Sequence, residues 1–363
     1  MQQRETGKQI YSAAALKDFT ARLLIAHGLT EGDAETVADG LVLANLRGVD
    51  SHGIARLPSY CDRLRAGVVD PRPELRVTQV AAAAAHLDGG NGMGFVVGDR
   101  AMSEAIRLAG ESGIGLVGVR RSNHFGMSAL YVLKAIEAGF ISFVYTNSSP
   151  AMPVWGARSA FLGASPFAAG VPAGDGTPFV LDMACTVTAR GKLKFAAQRG
   201  EPIAPGLALD SQGRPTTDGQ AAFEGVVLPF GGAKGAALAM LMDLLCGVFT
   251  GAAFAGGVKN PFTGLSGEAD VGHFFVAFRP DLFMPEPDYE DRMRRLVAAA
   301  KAEPLAEGFD EILIPGEPEA RTAALRKSGG IPVTDDVIEA LRIEAAAVGE
   351  AMPAPGAPSP DAG

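Results

Sequence analysis

The chain has 363 residues, 47% of them hydrophobic and 20% charged, with 41 acidic against 32 basic side chains and a formal charge of −9. That length exceeds what one small core needs and points to two domains. The negative balance repels a phosphate backbone, which excludes nucleic acid as a general partner and leaves isolated basic residues to attract any anionic ligand.

Three cysteines, Cys61, Cys185 and Cys246, stand far apart in apolar surroundings, with no C-x-x-C and no even count for a disulfide framework. They read as reduced, buried thiols of a cytoplasmic protein. The first ten residues lack the apolar run of a secretory signal. The most apolar helix candidate, 236–249, contains Asp243 and is too short to span a bilayer. No membrane partner is expected.

In chain order, the first seventy residues read as helices. Ser12 caps a run through Leu16, Phe19, Leu23 and Leu24 that stops at Gly28. Thr30 caps a second, with Ala34, Val37, Leu41 and Ala44 on one face, and a third covers 59–66. From about Val77, apolar runs alternate with Gly-rich turns. Strands are predicted near 85–88, 113–119, 141–145 and 179–182, with helices at 94–108, 127–138 and 235–250. This is an α/β body with a mixed sheet. Past Pro285 the pattern is helical again, at 289–302 and 335–347. Those helices can rejoin the first ones, giving a discontinuous helical domain (1–76 and 285–348) around an α/β domain (77–284). The Pro- and Ala-rich tail 349–363 is expected to be disordered.

Two segments carry the chemistry. In Arg120-Arg121-Ser122-Asn123-His124-Phe125-Gly126 a histidine sits where a strand gives way to a helix, at the strand end where α/β proteins keep their ligands. A satisfied core histidine is the alternative, but polar residues 120–123 argue against full burial. In Asp50-Ser51-His52-Gly53-Ile54-Ala55-Arg56, His52 and Arg56 are four apart. A helix beginning at Ser51 would put both on one face with Tyr60, although Pro58 complicates that start. A proton-moving imidazole beside a guanidinium fork that matches a carboxylate is the minimum kit for redox chemistry on a 2-hydroxy or 2-keto acid. A surface arginine and a capping histidine would look the same.

Other motifs stay open. Gly113-Ile-Gly-Leu-Val-Gly118 matches G-x-G-x-x-G, but its glycines lie within a strand and no Rossmann domain is supported. Pro229-Phe-Gly-Gly-Ala-Lys-Gly235 offers a flexible backbone, Lys234 and a helix start, and reads as a phosphate cradle or as a Gly-rich turn with a solvated lysine. Pro315, Gly316 and Glu317 follow a short strand at 311–314, where a carboxylate could hold ribose hydroxyls or merely end a turn. Asp182, at a strand end, could orient an imidazole, hold a cofactor hydroxyl or simply close the strand. No Cys/His spacing fits a metal, so none is expected, and His27, His86 and His273 receive no role.

Taken together, Gly48–Tyr60, Arg121–Gly126, Pro215-Thr-Thr-Asp218, Leu228–Gly235 and Ile314–Glu317 resemble, in that order, the malate/L-lactate dehydrogenase family of the non-Rossmann type, across 12–347. That family also includes sulfolactate, ureidoglycolate and diketogulonate oxidoreductases and a cyclic-imine reductase. The resemblance implies hydride transfer between NAD or NADP and C2 of a small anionic 2-hydroxy or 2-keto acid, a distinctive α/β nucleotide-binding fold, and an intertwined homodimer. By position, His52 and His124 resemble the proton-transfer pair, and Ser51, Arg56 and Tyr60 the substrate contacts. Asp182, Met183 and Ala184, then Ala233 and Lys234, then Pro315, Gly316 and Glu317, resemble three cofactor-binding segments. The chain departs from the pattern at Leu207, where a tryptophan is common nearby, and at Ala236, where an aromatic residue is. Reduction of a cyclic 2-imino acid, or metabolite binding without catalysis, are the alternative readings.

Overall fold

The computed structural model describes residues 7–174, 176–261, 265 and 267–356. The terminal layer opens with strand β1 (Lys8–Tyr11), helices α1 (Ala13–Ala26) and α2 (Glu31–Leu46), two 3₁₀ turns, and α3 (Leu57–Arg65). Strands β2 (Arg76–Ala81) and β3 (Ala84–Asp88), helix α4 (Gly94–Ser112), β4 (Ile114–Ser122), α5 (Ala129–Glu137) and β5 (Ile141–Thr146) follow. A small pair, β6 (Pro150–Met152) and β7 (Leu162–Gly163), precedes β8 (Phe167–Val171) and β9 (Phe179–Met183). A lobe of α6 (Arg190–Arg199), β10 (Ala208–Leu209), β11 (Pro215–Thr216), α7 (Gly219–Glu224) and β12 (Val226–Val227) leads to α8 (Ala233–Asp243), which runs into a π turn at Leu244–Val248. The chain closes with β13 (Val271–Phe278), α9 (Glu286–Lys301), α10 (Glu317–Gly329), β14 (Ile331–Thr334) and α11 (Asp335–Ala347).

Seven strands form the main sheet in the order β2-β3-β4-β13-β5-β8-β9. Only β3 and β4 run parallel, so the sheet is mixed, as the sequence suggests. Strand β4 alternates as a strand between two layers must: Gly115, Val117 and Val119 are buried, while Ile114, Leu116 and Gly118 are half-buried. Helices α4 and α5 cover the buried face, sharing one apolar cluster with Val117, Val119, Val144 and Phe275. A Cβ on Gly115 would stand 2.0 Å from the Ala105 carbonyl oxygen of α4. Gly115 therefore permits close helix-on-strand packing. Gly115 and Gly118 lie inside the strand as expected, whereas Gly113 precedes it as the left-handed C-cap of α4 (φ 82°).

The sequence anticipates both early caps: Ser12 Oγ accepts from Ala15 N at 3.1 Å and Thr30 Oγ1 from Asp33 N at 3.2 Å. Each large apolar side chain that α1 buries, such as Phe19 or Leu23, contributes about 1.5–3 kcal/mol. The first seventy residues are not all helix. Strand β1 precedes Ser12 and pairs antiparallel with β14, because two edges 320-odd residues apart in the chain satisfy each other's backbone. That pairing places Ile331, Val333, Ile338 and Leu341 in the same core as Leu16, Phe19 and Leu57.

Two other expectations change. Glu311–Ile314 forms no strand; the residue after it, Pro315, accepts a bond from the sheet through its carbonyl, from Val180 N at 2.9 Å. The segment from Gly349 to Gly356 is held in place, contrary to the expected disorder. Glu350 pairs with Arg22 at 3.0 Å, Met352 packs on the terminal core, and Gly356 N donates to Ile10 O at 2.8 Å. Residues 357–363 of that tail lie outside the described residues.

Candidate active site

His124 stands two residues beyond β4, in the crevice between the carboxyl ends of the parallel pair β3–β4 and helix α3. Its backbone is pinned from both sides. Asn123 Nδ2 donates to Asn91 O, Asn91 Oδ1 and Gly92 O at 3.1, 3.0 and 2.8 Å, while Arg63 of α3 donates to Asn123 Oδ1 at 3.2 Å. Helix α4 starts hard against this peptide: a Cβ on Gly94 would lie 2.3–2.4 Å from the Asn123 and His124 carbonyl oxygens. Only glycine fits there. Arg120 and Arg121 turn outward to Asp88 at the end of β3.

The Tyr60 hydroxyl lies 2.7 Å from His124 Nδ1, and Gly126 N donates to the same nitrogen at 3.3 Å. Two protein partners thus occupy Nδ1 of this ring. The His52 and His124 rings stack with centroids 5.6 Å apart and planes 20° apart. Ser51 Oγ is 3.0 Å from His52 Nδ1, and Arg56 Nε donates to the Ser51 carbonyl at 2.6 Å, which orients the guanidinium. Ser51, His52, Arg56, Tyr60 and His124 thus come together at one place.

They do so without the single helix that the i, i+4 spacing suggests. Residues 50–56 make two 3₁₀ turns broken at Gly53, whose backbone is extended. Asn45 fills the break: its Oδ1 accepts from Ile54 N at 2.8 Å and its Nδ2 donates to Asp50 at 2.7 Å. Pro58 is no obstacle, because it sits in the first turn of α3 where a helix needs no amide donor.

Burial governs the electrostatics. It lowers the His52 pKa to about 4, with help from Arg56. Burial first, then His52, Arg56 and His273, holds His124 well below the ordinary histidine range. Both rings are half-buried but walled by protein on most sides, so each is neutral at pH 7. Burial also raises the Tyr60 hydroxyl, against the pull of Arg56.

The three remaining segments meet along β9. Val180 pairs with Pro315, and beyond β9 Cys185 and Val187 pair with Phe230 and Leu228, so the strand carries Asp182, Met183 and Ala184 between the turn at Pro315–Glu317 and the turn before α8. Helix α8 begins at Ala233 after Gly231 and Gly232, both at positive φ (58° and 65°), and no side chain caps its first turn. With exposed Lys234 beside those amides, the turn fits a phosphate-bearing group. Asp182 does not reach either imidazole. Its Oδ2 accepts from Ala129 N at 2.8 Å at the start of α5, and burial raises its carboxyl to about 6 despite that bond and nearby Arg47. The residue keeps an exposed surface on the single chain although protein packs around its carboxyl group, and Oδ1 fits a hydroxyl donor. Glu317 fits that role poorly: its Oε2 is held by Lys301 Nζ at 2.8 Å and Ile314 N at 3.0 Å.

Two residues beside the site carry no sequence signal. His273 bonds Ser122 and Thr146 at 2.8 and 2.7 Å and stacks on Phe125 at 4.4 Å, bracing the loop from beneath. Arg47, buried at the end of α2, sets a cation near Asp182, and its Nε has no hydrogen-bond partner. The Pro215–Asp218 motif serves the fold, because Asp218 caps α7 through Ala221 N at 2.7 Å.

The family model described as malate/L-lactate dehydrogenase matches residues 11–342. The chain is 39% identical over 306 residues to L-sulfolactate dehydrogenase of Methanocaldococcus jannaschii, covering 83% of this chain and 87% of that one. It is 37% identical to malate dehydrogenase of Pyrococcus horikoshii, covering 92% and 94%. It is 35% identical to (2R)-3-sulfolactate dehydrogenase (NADP(+)) of Chromohalobacter salexigens, covering 88% and 93%. The solved structure of the M. jannaschii sulfolactate dehydrogenase superposes with a TM-score of 0.89 over 94% of this chain and 98% of that one.

Proposed function

We propose, for a chain that belongs to the malate/L-lactate dehydrogenase family, hydride transfer between C2 of a small anionic 2-hydroxy acid and a nicotinamide cofactor, NAD or NADP. The observation that carries this reading is the cluster of two neutral imidazoles and one guanidinium at a strand-end crevice. Relatives named for sulfolactate and malate support an acid as substrate, and one named for NADP(+) supports the cofactor class.

When bound, the nicotinamide supplies the hydride acceptor or donor. The protein's own residues do the rest. The Arg56 fork receives the substrate carboxylate, with Ser51 and His52 beside it. His124 Nε2 exchanges the proton of the C2 oxygen. With Nδ1 accepting from Gly126 N and the Tyr60 hydroxyl, the neutral ring carries its proton on Nε2, ready for a carbonyl oxygen. For the ring to act as base, its proton moves to Nδ1, where the Tyr60 oxygen accepts the hydrogen bond and the 3.3 Å bond from Gly126 is given up. The α8 turn with Lys234 holds the cofactor's phosphates, and Asp182 takes a hydroxyl.

The site works on a homodimer in the cytoplasm. An apolar run on α8 and its π turn (Met240, Leu241, Leu244, Val248 and Phe249) is exposed on the single chain and supports burial by a second copy. Three buried free thiols suit a reducing compartment. Among the described residues no helix is long and apolar enough to cross a membrane.

The test is a panel of 2-hydroxy acids, 2-keto acids and cyclic imines, each run with NAD(H) and NADP(H). Turnover with a hydroxy–keto acid pair is expected. Turnover confined to imines, or none with any substrate, overturns the reading.

A further inference from the structure

Away from the crevice, His27, Cys61 and Glu344 converge inside the terminal layer. Their donor atoms lie within 4.8 Å of one another, the one such group of three among the described residues. They come from the end of α1, the middle of α3 and the last turns of α11. Cys61 is fully buried, Glu344 is nearly so, and His27 Nε2 is buried with no hydrogen-bond partner. A buried imidazole nitrogen without a partner costs free energy that a native interior rarely leaves unrecovered.

We propose that His27 Nε2, Cys61 Sγ and one Glu344 carboxylate oxygen bind a borderline-soft divalent cation of the Zn²⁺ class, tying α1, α3 and α11 together. The donor set is mixed nitrogen, sulfur and oxygen, which suits zinc and disfavours calcium or magnesium. Tetrahedral bonds of about 2.0–2.3 Å put ligand atoms about 3.3–3.8 Å apart, so the group closes by about an ångström on loading. The outer shell is in place. Arg65 Nη2 holds Glu344 Oε2 at 2.7 Å, which leaves Oε1 for the ion, and Asp62 at 3.1 Å offsets the Arg65 charge. On binding, the Cys61 thiol releases its proton to solvent and the thiolate and carboxylate together neutralise the divalent charge. Water takes the fourth position, entering past the half-exposed His27. The sequence spacing 27, 61 and 344 hides the set completely, which is why no metal is expected from motifs.

The experiment uses full-length protein stripped with a chelator, then titrated with Zn²⁺ and, separately, with Co²⁺. One Zn²⁺ per chain that raises Tm by several degrees is expected, with a thiolate-to-cobalt charge-transfer band for Co²⁺. In His27→Gln and in Cys61→Ser the affinity for Zn²⁺ should fall at least 100-fold. His27→Gln should keep the turnover and circular dichroism of the parent, which separates a lost ligand from a lost fold. The proposal is overturned by the absence of a charge-transfer band in the parent, by a band that survives Cys61→Ser, by Zn²⁺ uptake unchanged in His27→Gln, or by uptake that leaves Tm where it was.

Discussion

Tyr60 and His124, 64 residues apart in the chain, meet through a 2.7 Å hydrogen bond at the ring's Nδ1. That bond lets one imidazole present either a lone pair or an N–H to the C2 oxygen. Tyr60→Phe keeps the ring packed against Phe95 but removes the swivelling partner. We expect kcat to fall roughly 5- to 150-fold, the worth of a buried hydrogen bond of about 1–3 kcal/mol, with cofactor KM within a factor of three. His124→Ala should lose about 10²–10⁴-fold in kcat, again with little change in cofactor affinity. Steady-state kinetics decide. Near-normal turnover in His124→Ala would reassign proton transfer to His52.

Arg56 donates from Nε to the Ser51 carbonyl at 2.6 Å, which fixes the plane of its guanidinium. Lysine keeps the charge and loses the plane. For Arg56→Lys the KM for the acid should rise about 10- to 150-fold, from about 1.5–3 kcal/mol of charged hydrogen bonding. An unchanged KM would show that another group clamps the carboxylate.

The depressed histidines give a sign for pH dependence. His52 ordinarily titrates near 6.5 and in the folded chain near 4. Between those values the unfolded chain binds a proton that the folded chain refuses. The stability from keeping this ring neutral is thus complete above pH 6.5 and declines as pH falls toward 4. Asp182, raised from 3.8 to about 6, works in the opposite direction between those two values, so the net stability curve is the wrong readout. Ring-proton NMR is the right one: in the cofactor-free protein, His52 and His124 should hold their neutral shifts from pH 8 down to 5. A midpoint near 6.5 for either would contradict the burial argument.

Lys234 and Glu317 should separate cleanly. Lys234→Ala removes a solvent-facing charge from the α8 turn, so cofactor KM should rise about tenfold while Tm stays put. Glu317→Gln breaks the tie from Lys301 and Ile314 to the start of α10. It should lower stability by about 1 kcal/mol and leave cofactor KM within a factor of two. Thermal melting and cofactor titration on both variants check the pair. The reverse pattern would restore Glu317 as a direct ligand.

Local rules made some of the molecule readable. Ser12 and Thr30 cap through bonds three residues long, and β4 alternates with period two, so neighbours alone betray them. His52, Arg56, Tyr60 and His124 stood out because their residue types suit one chemistry and their flanks are polar. What stayed hidden depends on partners remote in the chain. The β1–β14 pair, the brace of His273 on Ser122, and Arg47 beside Asp182 each need a fold before they mean anything. The helical face expected for His52 and Arg56 failed for a related reason. Asn45, from the preceding helix, supplies the bonds that make two tight turns cheaper than one continuous helix.

The chain has a single tryptophan, and Trp155 lies with its ring edge about where a Gly232 side chain would begin, 3.1 Å from that ideal Cβ. Its indole is largely solvent-exposed, just where the proposed pyrophosphate turn opens. Occupancy of that turn is therefore written into the native emission spectrum. Docking of a reduced dinucleotide should quench the indole and pass its excitation on, giving a label-free optical titration of the resting enzyme.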